Sequence, residues 1–165
     1  MSTRGTTVPD PFSADRWAIQ DLKHRYVRSV DLRDWEALAA TLAPEMAAQY
    51  RPDLVTEGAD ALVAELRGRL TEHRITIHQL AHPSIEIDGH RATGTWTMTD
   101  RTICTDIGVV VEGMSVSHDR YRRDPERGWL ITSIGYQRAY EATMALTDVP
   151  SFVVRATPYD LVAPA

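Results

Sequence analysis

With 165 residues, 43% of them hydrophobic, the chain is long enough for one core and one ligand cavity but too short for a two-domain cleft. A net charge of −5 and the lack of a Lys/Arg stripe argue against a nucleic-acid partner, since Arg120, Arg122 and Arg123 are flanked by Asp119 and Asp124. The single Cys104 makes no intrachain disulfide, no Cys/His cluster has metal-ligand spacing, and no apolar stretch nears the roughly 18 residues that span a bilayer, so the expectation is a cytoplasmic protein with no metal and no membrane partner.

Residues 1–12 carry Arg4, Gly5, Pro9 and Pro11 without an apolar signal region and read as a flexible arm. Ile19, Leu22, Val27 and Val30 then share one broad arc around Tyr26 at helical spacing, which predicts an amphipathic helix from about Asp15 to Leu32, capped by Ser13 or Asp15. Asp34 directly precedes Trp35-Glu36-Ala37-Leu38 and suits the cap of a second helix running through Leu38 and Leu42 to a stop before Pro44. Met46–Tyr50 reads as a short strand. Thr56 and Gly58 introduce a third helix with Leu62, Val63, Leu66 and Leu70 on one face.

From Ile75 the period changes to two. Ile75-Thr76-Ile77 and Ile85-Glu86-Ile87 belong to one strand, Asp88-Gly89 is a hairpin signal, and the return strand alternates Ala92, Gly94, Trp96 and Met98 with Thr93, Thr95, Thr97 and Thr99. Two more strands follow, about Val109–Arg122 and Trp129–Tyr140. Helices followed by a meander make an α+β domain, residues 13–142, in which a curved antiparallel sheet wraps the helices into a cone. The remainder, 143–165, holds Phe152, Val153, Val154 and Leu161 among prolines. It reads either as a disordered end or as an arm packed on the body or on a neighbouring subunit.

Asp31 is the residue that asks for an explanation. It falls in the last turn of the first helix, where the macrodipole is negative and a carboxylate costs a few tenths to about 1 kcal/mol unless a cation or donor offsets it. It is either a plain turn residue or one half of a pair. His78, on the first long strand, is the candidate other half, although a strand histidine can equally serve packing alone. His82 and His118 are weaker competitors, and His24, His73 and His90 fall at exposed or turn positions. With Asp88-Gly89 as the turn, His78 lies opposite Thr99 and Asp100 opposite Ile77, so His78 and Asp100 face opposite sides. One extra residue in the first strand reverses that, and Pro83 marks where it would sit, so a bulge is expected around His82-Pro83-Ser84.

The ordered string Ile19-x2-Leu22-x3-Tyr26-x4-Asp31-x2-Asp34-Trp35, Gly58-x-Asp60-Ala61-Leu62, His78-x4-Pro83-x-Ile85-x-Ile87-Asp88-Gly89-x2-Ala92-x-Gly94-x-Trp96 and Tyr121-x6-Gly128-Trp129-x-Ile131 resembles the SnoaL-like family. That family is part of the nuclear transport factor 2-like superfamily of cone-shaped α+β folds. The spacing is most similar to its dehydratase-like branch, which includes scytalone dehydratase, bile acid 7α-dehydratase and hexachlorocyclohexane dehydrochlorinase. The resemblance implies that Asp31, His78, Tyr26 and Asp100 are the catalytic set. Two departures narrow it: the return strand carries no second histidine, unlike scytalone dehydratase, and Tyr26 stands where the dehydrochlorinase has a lysine.

On these residue types the expected chemistry is cofactor-independent proton abstraction beside a carbonyl. His78 acts as base, and Asp31 fixes its tautomer and stabilises the imidazolium. Tyr26, with Tyr50 as a second phenol, polarises the carbonyl or protonates a leaving hydroxyl, and Asp100 assists departure or positions substrate. Trp96, Met98, Met114, His118 and Tyr136 are expected around a hydrophobic cyclic substrate, with Trp17, Leu22 and Leu80 in the pocket walls. Dehydration and isomerisation both fit. A polyketide cyclase, an epoxide hydrolase with Asp100-Arg101 as a faint pointer, and a binding protein without turnover stay open. One uncovered face of the sheet suggests a homodimer or homotrimer, and Phe152 or Tyr159 could close the pocket mouth.

Overall fold

A computed structural model describes residues 12–51 and 54–161, so the expected arm at 1–12 lies almost wholly outside the described residues, as does the end of the tail. Helix α1 spans Ser13–Leu32 and buries Ile19, Leu22, Tyr26, Val27 and Val30, the arc that the periodicity predicts. Neither Ser13 nor Asp15 caps it. The N-cap position is Phe12, and Asp15 instead accepts a hydrogen bond from the Trp129 indole at 2.9 Å. At the other end Arg33 turns into the left-handed region with φ 56, and its N–H closes on the carbonyl of Val30. Asp34 caps the short helix α2, Trp35–Ala40, by accepting from the Ala37 N–H at 2.9 Å.

Leu42 is not helical as expected, because it opens strand β1, Leu42–Arg51. Its backbone runs parallel to Ile131, and a parallel ladder outweighs two more residues of weak helix. Pro44, lacking an N–H, sits between Leu42 and Ala47, where that ladder is irregular. Strand β2, Leu54–Glu57, folds back antiparallel on β1 and was not expected. Gly58, at φ 91, then leads into helix α3, Ala59–Arg69.

Four long strands complete the sheet: β3 Arg74–Asp88, β4 Arg91–Cys104, β5 Val109–Asp124 and β6 Gly128–Ala145. The order is β2-β1-β6-β5-β4-β3, antiparallel except for the β1/β6 pair, so the sheet is mixed where an antiparallel one was expected. The α+β architecture stands: one face of this open, curved sheet packs Ile85, Ala92, Trp96, Tyr121, Ile131 and Ile134 against the buried arc of α1.

The β3/β4 hairpin decides which way the site residues point. Asp88 pairs with Arg91, so the turn is Gly89-His90 rather than Asp88-Gly89, and Gly89 at φ 56 takes the positive-φ position that a II′ turn reserves for glycine. Moving a turn by one residue changes the register by two and leaves every side chain on its face. The bulge has the opposite effect. Ala81 pairs with Thr97 and Ser84 with Thr95, leaving His82 and Pro83 opposite Trp96 alone, with His82 at φ 49. Beyond it His78 lies directly opposite Asp100, on the same face.

After β6 the chain turns through Leu146–Asp148. Leu146, Phe152, Val154 and Tyr159 pack over Ile75, Ile103 and Val110, which point away from α1. The tail is therefore an arm on the body through Tyr159. No described helix is long and apolar enough to cross a membrane.

Candidate active site

A cavity of about 330 Å³ opens between α1, α3 and the concave face of the sheet, with Val27, Val30, Leu66, Leu70, Met98 and Ile134 as its apolar wall. His78 reaches it from β3. Asp31 holds His78 from behind with both oxygens: Oδ2 accepts the His78 backbone N–H at 2.8 Å, and Oδ1 lies 2.6 Å from Nδ1. A carboxylate can only accept, so Nδ1 carries a proton, and in the neutral imidazole the lone pair is on Nε2. The two side chains are 21% and 16% exposed, shielded enough for the attraction to count and open enough for a ligand to arrive.

Asp100, opposite His78, lines the same cavity and is ion-paired to Arg138 of β6. Arg138 has to cross β5 to get there. It crosses at Gly113, the partner of Asp100, where an added Cβ would lie 2.8 Å from the guanidinium and 2.6 Å from the carbonyl of Tyr140. Deeper in, the Tyr26 and Tyr50 hydroxyls are 2.6 Å apart. Burial pushes both phenols up, so they stay protonated, and only one of the two protons is consumed by the bond between them. The ring of Tyr136 tilts against Tyr50 with centroids 5.9 Å apart.

The expected site residues Tyr26, Tyr50, His78, Met98, Asp100 and Tyr136 all line the cavity, and Asp31 supports it. Six others expected around the substrate do not line it. Trp96 points inward but is spent in the core, donating to the Tyr121 hydroxyl at 2.9 Å. Met114 and His118 alternate with the inward Ser115 and Ser117 and face the other side of the sheet. Trp17 is 72% exposed, and Leu22 and Leu80 pack in the core. Arg101, next to Asp100, turns outward to Glu112 at 2.6 Å, so the Asp100-Arg101 pair does not exist as a unit. Phe152 and Tyr159 lie away from the cavity.

Two groups escaped the sequence reading. Arg138 carries no local signal, since an arginine on a last strand is ordinary. Lys23 did leave one, a charged residue between Leu22 and Tyr26 in the apolar arc of α1, where it is buried against Asp119 at 2.7 Å. Among the described residues no group of three or more His, Cys, Asp or Glu is placed to hold a metal ion.

Solved structures share this architecture. A protein of Novosphingobium aromaticivorans proposed to be a scytalone dehydratase is 19% identical with a TM-score of 0.72, over 87% of this chain and 91% of that one. The hexachlorocyclohexane dehydrochlorinase LinA-type3 from Novosphingobium barchaimii is 17% identical with a TM-score of 0.72, over 80% and 91%. An NTF2-like protein with a cystatin-like fold, also from Novosphingobium aromaticivorans, is 22% identical with a TM-score of 0.67, over 76% and 82%. At such identities the likeness speaks for the fold. The model of the SnoaL-like domain matches residues 12–134, so the helices, the bulged hairpin and most of the cavity wall fall inside it, and the chain belongs to the SnoaL-like family.

Proposed function

We propose that the protein is a cofactor-independent lyase that eliminates water from a hydrophobic cyclic β-hydroxy ketone. The observation that carries this reading is the grip of Asp31 on both the backbone and Nδ1 of His78, with the cavity on the other side of the ring. His78 Nε2 removes the proton α to the carbonyl, and the C–H electrons become the enolate. The Tyr26–Tyr50 pair donates its spare hydroxyl proton as a hydrogen bond to the enolate oxygen. When the enolate collapses, the β C–O bond breaks and the imidazolium hands its proton to the departing hydroxide, so water leaves and the base is restored. Asp100, held by Arg138, accepts a hydrogen bond from the leaving hydroxyl and lies opposite the imidazolium as it forms. General acid–base work of this type gives roughly 10²–10⁴-fold.

The test is exchange of solvent deuterium into, and dehydration of, a panel of cyclic hydroxy ketones by wild type, His78→Ala and Asp31→Asn. A drop of roughly 10²–10⁴-fold for His78→Ala is expected. Equal rates in the three proteins would remove both residues from the chemistry.

A second reading has one observation in its favour. Asp100 and Arg138 form a carboxylate–guanidinium pair on the cavity, the arrangement that the sequence suggested with the wrong arginine. Opening of an epoxide with uptake of ¹⁸O from water, insensitive to His78→Ala, would favour an epoxide hydrolase over the lyase.

A further inference from the structure

The floor of the cavity holds a charge that the elimination leaves idle. Lys23 is 1% exposed, and burying an ammonium beside a carboxylate is costly enough that an apolar pair of similar volume would often be at least as stable. Its partner is fully served. Asp119 receives the Ser117 hydroxyl on Oδ1 at 2.8 Å, and the Tyr121 hydroxyl on Oδ2 at 2.8 Å beside the ammonium at 2.7 Å. Lys23 is not. An ammonium has three N–H donors; one goes to Asp119, a second reaches Ser117 Oγ only at 3.4 Å, and the Tyr26 ring stands 5.1 Å away. Both Lys23 and Ser117 line the cavity.

The inward face of β5 extends this polarity. Gly113, Ser115, Ser117 and Asp119 put no apolar side chain on the concave side over four successive inward positions. Among the described residues the buried Ser115 hydroxyl has no hydrogen-bond partner, and its cross-strand neighbours Met98 and Arg138 both line the cavity. A polar stripe therefore runs along the strand floor of the ligand space, from Asp100 and Arg138 to Lys23, facing the apolar wall of Val27, Val30, Leu66 and Leu70. Along α1, Lys23 and Asp31 are separated by roughly 12 Å at 1.5 Å per residue.

We propose that Lys23 and Ser117 form a second polar subsite, which receives a carbonyl or phenolic oxygen at the end of the substrate remote from His78. The substrate class is then a fused-ring compound oxygenated at both ends, rather than a hydrocarbon skeleton with one functional end. This rests on the cavity being the substrate site, as proposed above, but not on the identity of the base.

Binding of 1-tetralone and 6-hydroxy-1-tetralone to the full chain tests it, by titration calorimetry on wild type, Lys23→Met, Lys23→Met/Asp119→Asn and His78→Ala. Wild type should prefer the hydroxylated ketone by about tenfold, because a buried donor left unpaired penalises the ligand that lacks the oxygen. Lys23→Met should bring the two ligands within about twofold of each other, mainly by weakening the hydroxylated one. The double variant leaves no unpaired buried charge and carries the test if Lys23→Met does not fold. His78→Ala should keep the preference, so loss of the lyase reading, seen in turnover, is separable from loss of the subsite, seen in binding. Equal affinities in wild type, or a preference that survives in the Lys23 variants, would overturn the proposal.

Discussion

Gly113 is the residue on which the far half of the site turns, though it touches no ligand. With no side chain it lets Arg138 lie across β5 onto Asp100, and no other residue type leaves that space. Gly113→Ala should displace the guanidinium, lower turnover about as much as Arg138→Ala does, and destabilise by about 1–3 kcal/mol through overpacking; steady-state rates and urea unfolding of the two variants check this together. The buried phenols make a second prediction. Tyr26 and Tyr50 are pushed above the ordinary tyrosine value by burial, so their folded values exceed the unfolded value of about 10. Their contribution to stability is fully present below that pH and is lost as pH rises through the folded values. Unfolding followed from pH 8 to 12 should show a steep decline that is shallower in Tyr26→Phe/Tyr50→Phe.

Two elements do the positioning, and only one was readable in advance. Pro83, in a strand that otherwise alternates cleanly, announced the bulge, and the bulge brings His78 and Asp100 to one face. Deleting His82 should remove the extra residue, rotate His78 away from the cavity and abolish activity, whereas His82→Gly, which suits the positive φ, should keep it. Activity retained by the deletion would mean that the register is not what aligns the pair. The C-terminal arm is the other element. Its sequence left a disordered end and a packed arm both open, and in the fold it straps rather than covers: the Tyr159 ring lies 3.5 Å from the Arg33 guanidinium and its hydroxyl donates to the carbonyl of Arg74. Arg33 closes the end of α1 and also donates to the Arg74 carbonyl at 2.9 Å, so the arm clasps the junction of the two elements that carry Asp31 and His78. Tyr159→Ala should cost about 1–3 kcal/mol, the sum of a cation–π contact and a hydrogen bond, measured by thermal unfolding.

For the whole molecule, the convex face is where assembly would occur. It presents the β4 threonines together with exposed Ile77 and Tyr140 around a shallow hollow. We expect light scattering to give the mass of a dimer or trimer, and Ile77→Lys/Tyr140→Glu to give that of a monomer; a monomeric wild type would refute this. The sequence by itself determined what depends on short-range pattern: the apolar arc of α1, the place of Asp31 in its last turn, the Asp34 cap, the period-two strands and the bulge at a proline. Tertiary structure alone decided what depends on neighbours remote in the chain. Leu42 became strand because β6 lies alongside it, Met114 and His118 fell outside because register chose their face, and Trp96 went to Tyr121 instead of the cavity. Arg138 found Asp100, and Lys23 found Asp119, through a fold that no local window contains, because ion pairs join surfaces brought together by packing and leave no periodicity behind.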